Sequence, residues 1–128
     1  MRKAEIIPDD NSLFRRALWV LYNPRTRKFT EPAFMIRPGR EKGLSVNWDK
    51  YATAEQTSYD RNTKKKYCVG SIMARVPRTL NLEVIHTPSK RNRAHSVICG
   101  DDLLDSQKNY QIAGYLADAC EPIIIEGA

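Results

Sequence analysis

The chain's 128 residues suit one domain, and a content of 41% hydrophobic and 28% charged residues excludes a wholly disordered chain. Twenty-one Lys+Arg against fifteen Asp+Glu leave a net charge of +6, a surplus that favours phosphate-rich or otherwise acidic partners and is silent on fold. No apolar run approaches the ~18 residues that span a bilayer, and Met1 to Pro8 lacks the apolar stretch of a secretory signal, so a cytoplasmic protein without a membrane partner is expected.

In chain order, Met1 to Pro8 reads as a short extended segment. Asp9, Asp10, Asn11 and Ser12 are candidate N-caps for one or two helical turns over Leu13–Leu21 that run into a strand near Trp19–Tyr22. Asn23-Pro24-Arg25-Thr26-Arg27 is a turn. Phe34-Met35-Ile36 reads as a short strand closed by Arg37-Pro38-Gly39. Leu44-Ser45-Val46-Asn47-Trp48 alternates apolar and polar, the period of a half-buried strand. Thr53-x-x-Gln56 is a capping-box spacing that predicts a short helix to about Asp60. Arg61 to Lys66 is a basic loop. Tyr67–Ala74 reads as a buried strand, broken by Val76-Pro77-Arg78-Thr79-Leu80. Leu82–Thr87 and Ala94–Cys99 form a hairpin about the polar loop Pro88–Arg93. A helix runs from Asp105 or Ser106 to Cys120, with Ala113, Leu116, Ala117 and Cys120 on one stripe and Pro122 stopping it; Ile123-Ile124-Ile125 follows as a terminal strand. The sum is a single α+β domain, residues 1–128, with a mainly antiparallel sheet and a C-terminal helix packed on it.

The hairpin carries a chemical expectation. If Thr87 pairs with Ala94, His86 lies opposite His95 on one sheet face, beside a loop holding Lys90, Arg91 and Arg93. Two imidazoles so placed would suit metal-independent ribonuclease chemistry, one taking a proton from an attacking hydroxyl and one giving a proton to the leaving oxygen. A register slip of one residue removes the arrangement, and a neutral histidine at a strand end commonly serves a backbone carbonyl instead.

The cations fall into groups: Arg15/Arg16, Arg25/Arg27/Lys28, Arg37/Arg40/Lys42, Lys64/Lys65/Lys66 and Lys90/Arg91/Arg93. Tyr22, Phe29, Trp48, Tyr51, Tyr59 and Tyr67 interleave with them, and such rings stack on unpaired bases while cations meet phosphates. Clusters on one side would make a nucleic-acid footprint; clusters spread evenly would be a solvated surface. Ser45 is a polar strand residue suited to a cleft, without the Gly-x-Ser-x-Gly turn of a hydrolase. Ser96, next to His95, points to the opposite face. Asp101-Asp102 suits the start of a helix. Cys68, Cys99 and Cys120 lack disulfide or zinc spacing and read as reduced, buried thiols; no metal site and no cofactor motif is expected.

Leu13-Phe-Arg-Arg16, Ala33-Phe34, Gly43-Leu-Ser-Val46, Thr53-x-Glu-x-Thr57, Val69-Gly-Ser-Ile72, Leu82-Glu-Val-x-His86-x-Pro88 and Asn92-x-Ala-His95 together resemble a family of small bacterial proteins with no established activity. The likeness runs from about Leu13 to Gly100. It implies a bacterial single-domain protein in which Asn92 and His95 hold shared positions. Where that family shows Asn-Pro-Ala-His, this chain has Asn92-Arg93-Ala94-His95, which adds a cation. The order Arg15 or Arg16, Ser45, His86 is also loosely similar to the site residues of small ADP-ribosyl-transferring or NAD-cleaving domains, without their glutamate and spacing. The expected function is an accessory or defence-type protein that binds nucleic acid or a nucleoprotein complex through phosphate contacts. The alternatives are the His86/His95 enzyme and an interaction module whose basic loops meet an acidic protein partner.

Overall fold

The computed structural model describes residues 3–37 and 39–124. In chain order the strands are β1 (Ser12–Ala17), β2 (Tyr22–Asn23), β3 (Lys28–Phe29), β4 (Gly43–Trp48), β5 (Tyr59–Asp60), β6 (Lys65–Lys66), β7 (Cys68–Met73), β8 (Glu83–His86), β9 (His95–Cys99) and β10 (Glu121–Ile124). Among the described residues three α-helices, α1 (Ala54–Ser58), α2 (Arg75–Thr79) and α3 (Ser106–Ala119), and 3-10 turns at Trp19–Leu21, Glu31–Phe34 and Asp101–Leu104 complete the set. Six strands form one sheet in the order β10-β7-β1-β4-β9-β8, and each neighbouring pair is antiparallel. The hairpins β2–β3 and β5–β6 stand outside it.

Alternation sorts the sheet into two faces. Leu13 and Ala17 of β1, Leu44, Val46 and Trp48 of β4, and Ile98 of β9 are buried on the inner face, where Phe34, Leu103 and α3 cover them. The α3 stripe is as the spacing predicts: Ala113, Leu116, Ala117 and Cys120 are buried, joined by Ile112. Asp105 caps this helix, its carboxylate accepting the Gln107 and Lys108 amides. Pro122 sits in the edge strand β10, where a missing amide costs no ladder bond.

The segment Leu13–Leu21 reverses the expected order, with the strand first and the helical turn after it. Its apolar residues also fit period two, and pairing along the whole of β7 from Ser12↔Met73 to Ala17↔Cys68 settles the choice. Phe34-Met35-Ile36 is not a strand; Phe34 closes a 3-10 turn begun at Glu31 with Pro32 near its start. Residues Arg75–Thr79 form a short helix rather than a break, because Pro77 falls in its first turn, where an amide has no intrahelical partner. Ile123 and Ile124 lie in β10; Met1, Arg2, Pro38 and Ile125 lie outside the described residues.

Candidate functional site

The β8–β9 hairpin pairs Val84 with Ile98, Ile85 with Val97 and His86 with Ser96. This is one residue away from the Thr87–Ala94 register, and it corrects the expected histidine pair. His86 and Ser96 face inward, while His95 faces outward with Val97, so the two imidazoles do not share a face. Both faces of β9 carry apolar residues, so its own pattern leaves the register open; the surroundings of His86 decide it. Its Nδ1 accepts the Glu5 amide at 3.0 Å, and Nε2 donates to the Arg93 carbonyl at 2.7 Å. The ring packs edge-on against Trp48 and lies parallel to Tyr51. Both nitrogens are thus committed, and His86 is a buried brace between the N-terminal segment and the 88–94 loop.

The site arises where two strands part. β1 and β4 pair only at Leu13↔Trp48 and Phe14↔Asn47 and then diverge. Arg15 fills the split from the inner side, its Nε donating to the Ala33 carbonyl and its Nη1 to the Ser45 carbonyl, each at 2.9 Å. The guanidinium supplies a donor where strand pairing has ended. Burial pushes it below the ordinary arginine value, against the opposing pull of Glu41.

On the outer side this split opens into a cleft of about 710 Å³. Phe14, Ser45 and Asn47 of the sheet, α1, the β5–β6 turn and the 88–94 loop enclose it. Arg16, Arg61, Arg91 and Arg93 all line it. Arg61 Nη2 reaches the Arg91 carbonyl at 3.5 Å and so links the two loops, while the Arg93 guanidinium lies 4.0 Å from the Tyr51 ring centre. Asp60 is the one carboxylate among the described lining residues, and the Asn62 and Thr63 amides hold it below the usual carboxylate range.

Polar side chains fix the walls relative to one another. Asn92 Nδ2 donates to Asn47 Oδ1 at 2.8 Å, Asn47 Nδ2 to Thr57 Oγ1 at 3.0 Å, and the Thr57 hydroxyl to the Thr53 carbonyl at 2.9 Å. This relay ties the loop to β4 and β4 to α1, whose capping box at Thr53 and Gln56 is formed as predicted. Inside the cleft His95 Nε2 is 3.4 Å from Ser45 Oγ. The Thr87 carbonyl, which can only accept, lies 3.2 Å from His95 Nδ1, and the Thr87 hydroxyl oxygen lies 2.7 Å from the same nitrogen. Nδ1 then carries the proton, and the Nε2 lone pair faces Ser45.

The sequence-predicted cations therefore divide. Arg15, Arg16, Arg91 and Arg93 come together at the cleft, and Lys90 lies on the same loop without lining it. Arg25, Arg27 and Lys28 sit on the β2–β3 hairpin, where Lys28 Nζ donates to the Asp118 carbonyl at 2.5 Å near the end of α3. Lys64, Lys65 and Lys66 are exposed on the β5–β6 hairpin and do not line the cleft. Arg61, Asn47, Thr57 and the Ser45–His95 contact escaped the sequence; the alternation of β4, which places Ser45 and Asn47 on one polar face, was the available signal. Among the described residues no three His, Cys, Asp or Glu side chains converge as a metal-ligand set. Cys68 and Cys120 are buried free thiols, pushed up to about 11 and about 12, and Cys99 is half-buried with its thiol raised by burial and by Glu83. No helix among the described residues is long and apolar enough to cross a membrane. Comparison of the chain with protein-family models, with curated proteins and with solved structures finds no significant match.

Proposed function

We propose that this protein binds single-stranded nucleic acid, or the exposed strand of a nucleoprotein complex, in the cleft between β1 and β4, as an accessory or defence-type component of a bacterial cytoplasm. The observation that carries the proposal is the meeting of Arg16, Arg61, Arg91 and Arg93, drawn from three separate elements, around one opening with a single carboxylate, Asp60, among its described lining residues. Guanidinium groups pair with phosphate oxygens in a fork geometry, and Phe14 and Tyr59 offer ring surface to unpaired bases in the same cleft. Ring faces in the cleft can be stacked on only by unpaired bases, whereas a duplex presents base edges in its grooves.

The test is fluorescence anisotropy of a labelled 12-nucleotide strand at salt from 50 to 300 mM. With three or four phosphates neutralised, log affinity should fall against log salt with a slope of about −2 to −3. Absence of binding, or binding indifferent to salt, contradicts the proposal; retention of an acidic protein in place of the strand would favour an interaction module.

A further inference from the structure

Ser45 and His95 are diagonal neighbours on the outer sheet face, since β4 and β9 pair Ser45 with Val97 and Asn47 with His95. Ser45 is exposed, His95 is half-buried, and both line the arginine cleft. Their 3.4 Å contact, with Thr87 holding the far nitrogen of the ring, has the parts of an activated nucleophile: a hydroxyl, a base within reach of it, and a third group that fixes the tautomer of the base. A serine–histidine contact does no chemistry unless a substrate can reach it. This one sits where an anionic substrate would lie, and the guanidinium of the half-buried Arg15 is bonded to the carbonyl of the same serine.

From this juxtaposition we infer a phosphodiester-cleaving centre in which Ser45 is the nucleophile and His95 its general base, an inference that rests on the cleft being a phosphate-binding site. Ser45 Oγ forms a bond to phosphorus while His95 Nε2 takes the hydroxyl proton. The phosphorus–oxygen bond to the leaving alcohol breaks, and His95 returns the proton to that oxygen. The remaining phosphodiester is then carried on Ser45. Water attacks phosphorus, gives its proton to His95, and Ser45 departs with that proton restored. Arg16, Arg61, Arg91 and Arg93 stabilise the charge on the equatorial oxygens in both steps. His86 has no part in it, because it faces the inner side of the sheet.

Bis(4-nitrophenyl) phosphate, a diester with a coloured leaving group, tests the inference alongside the labelled 12-nucleotide strand. The protein should release 4-nitrophenolate, and after acid quench the peptide holding Ser45 should be heavier by one 4-nitrophenyl phosphoryl group. Ser45→Ala and His95→Ala should each lower release at least 100-fold while strand affinity stays within threefold, and added imidazole should restore part of the His95→Ala rate. Circular dichroism spectra matching the parent confirm that both variants are folded. Release at the parent rate by Ser45→Ala overturns the inference. So does a parent protein that holds the strand but cleaves neither substrate, an outcome that leaves the binding proposal standing. Diester cleavage without strand retention supports the Ser45–His95 centre and removes the nucleic-acid proposal instead.

Discussion

The His86 imidazole lies parallel to the Tyr51 ring, with centroids 5.8 Å apart and planes 19° apart, and Tyr51 in turn carries the Arg93 guanidinium. A histidine buried on the inner side of the sheet thus positions a cation at the outer cleft. The same ring accepts the Glu5 amide and donates to the Arg93 carbonyl, so one side chain braces the N-terminal segment and the loop that forms a wall of the site.

The two histidines should therefore respond differently to removal. His86→Ala deletes a buried ring and leaves the Glu5 amide and the Arg93 carbonyl without their partner, a loss of about 2–4 kcal/mol. His95→Ala, at a half-buried outer position, should cost below about 1 kcal/mol. Urea denaturation of both variants checks this, and equal losses would contradict the assignment of a brace to one and a cleft residue to the other.

Burial raises the Cys68 and Cys120 thiols to about 11 and about 12 from an ordinary 9.0, so their protonated forms are favoured by folding. The sign follows from linkage: this contribution is present in full below pH 9 and is lost as pH rises from about 9 towards 12. Stability measured by urea denaturation should fall across that alkaline window, and less steeply in a Cys120→Ala variant. At pH 8 a disulfide reagent should modify Cys99 first in the native protein and all three thiols only in denaturant.

Gly70 lies on the inner face of β7, opposite Arg15, and a Cβ there would come within 2.2 Å of Cys120 Sγ and 2.7 Å of the Phe29 ring. Gly70→Ala should lower stability by about 2 kcal/mol or more, seen as a fall in Tm of several degrees. An unchanged Tm would mean that β10 and the β2–β3 hairpin do not close over this strand as described.

Local patterns made the elements of this fold legible. The alternation of Leu44-Ser-Val-Asn-Trp48, the Thr53–Gln56 capping box and the α3 stripe each carry their own period, and each is present. What escaped the sequence depends on contacts distant along the chain. The order of strand and turn in Leu13–Leu21 follows from pairing with β7, some 55 residues on. The hairpin register follows from burying His86 between Trp48, Tyr51 and the Glu5 amide, none of which lies near it in sequence. The cleft follows from the early divergence of β1 and β4, which Arg15 stabilises through carbonyls at Ala33 and Ser45. The cations were visible as clusters, but only pairing showed that Arg16, Arg61, Arg91 and Arg93 share one opening while Arg25, Arg27 and Lys64–Lys66 do not.

That division gives the most direct test of the central claim, a comparison of strand binding by two charge-matched double variants. Arg61→Ala/Arg91→Ala should weaken affinity for the 12-nucleotide strand at least tenfold at 100 mM salt and flatten the salt slope by about 1.4, the share of two phosphates on a single strand. Lys64→Ala/Lys65→Ala, outside the cleft, should change both by much less. Equal effects from the two pairs would show attraction by net charge alone and would contradict a binding site between β1 and β4.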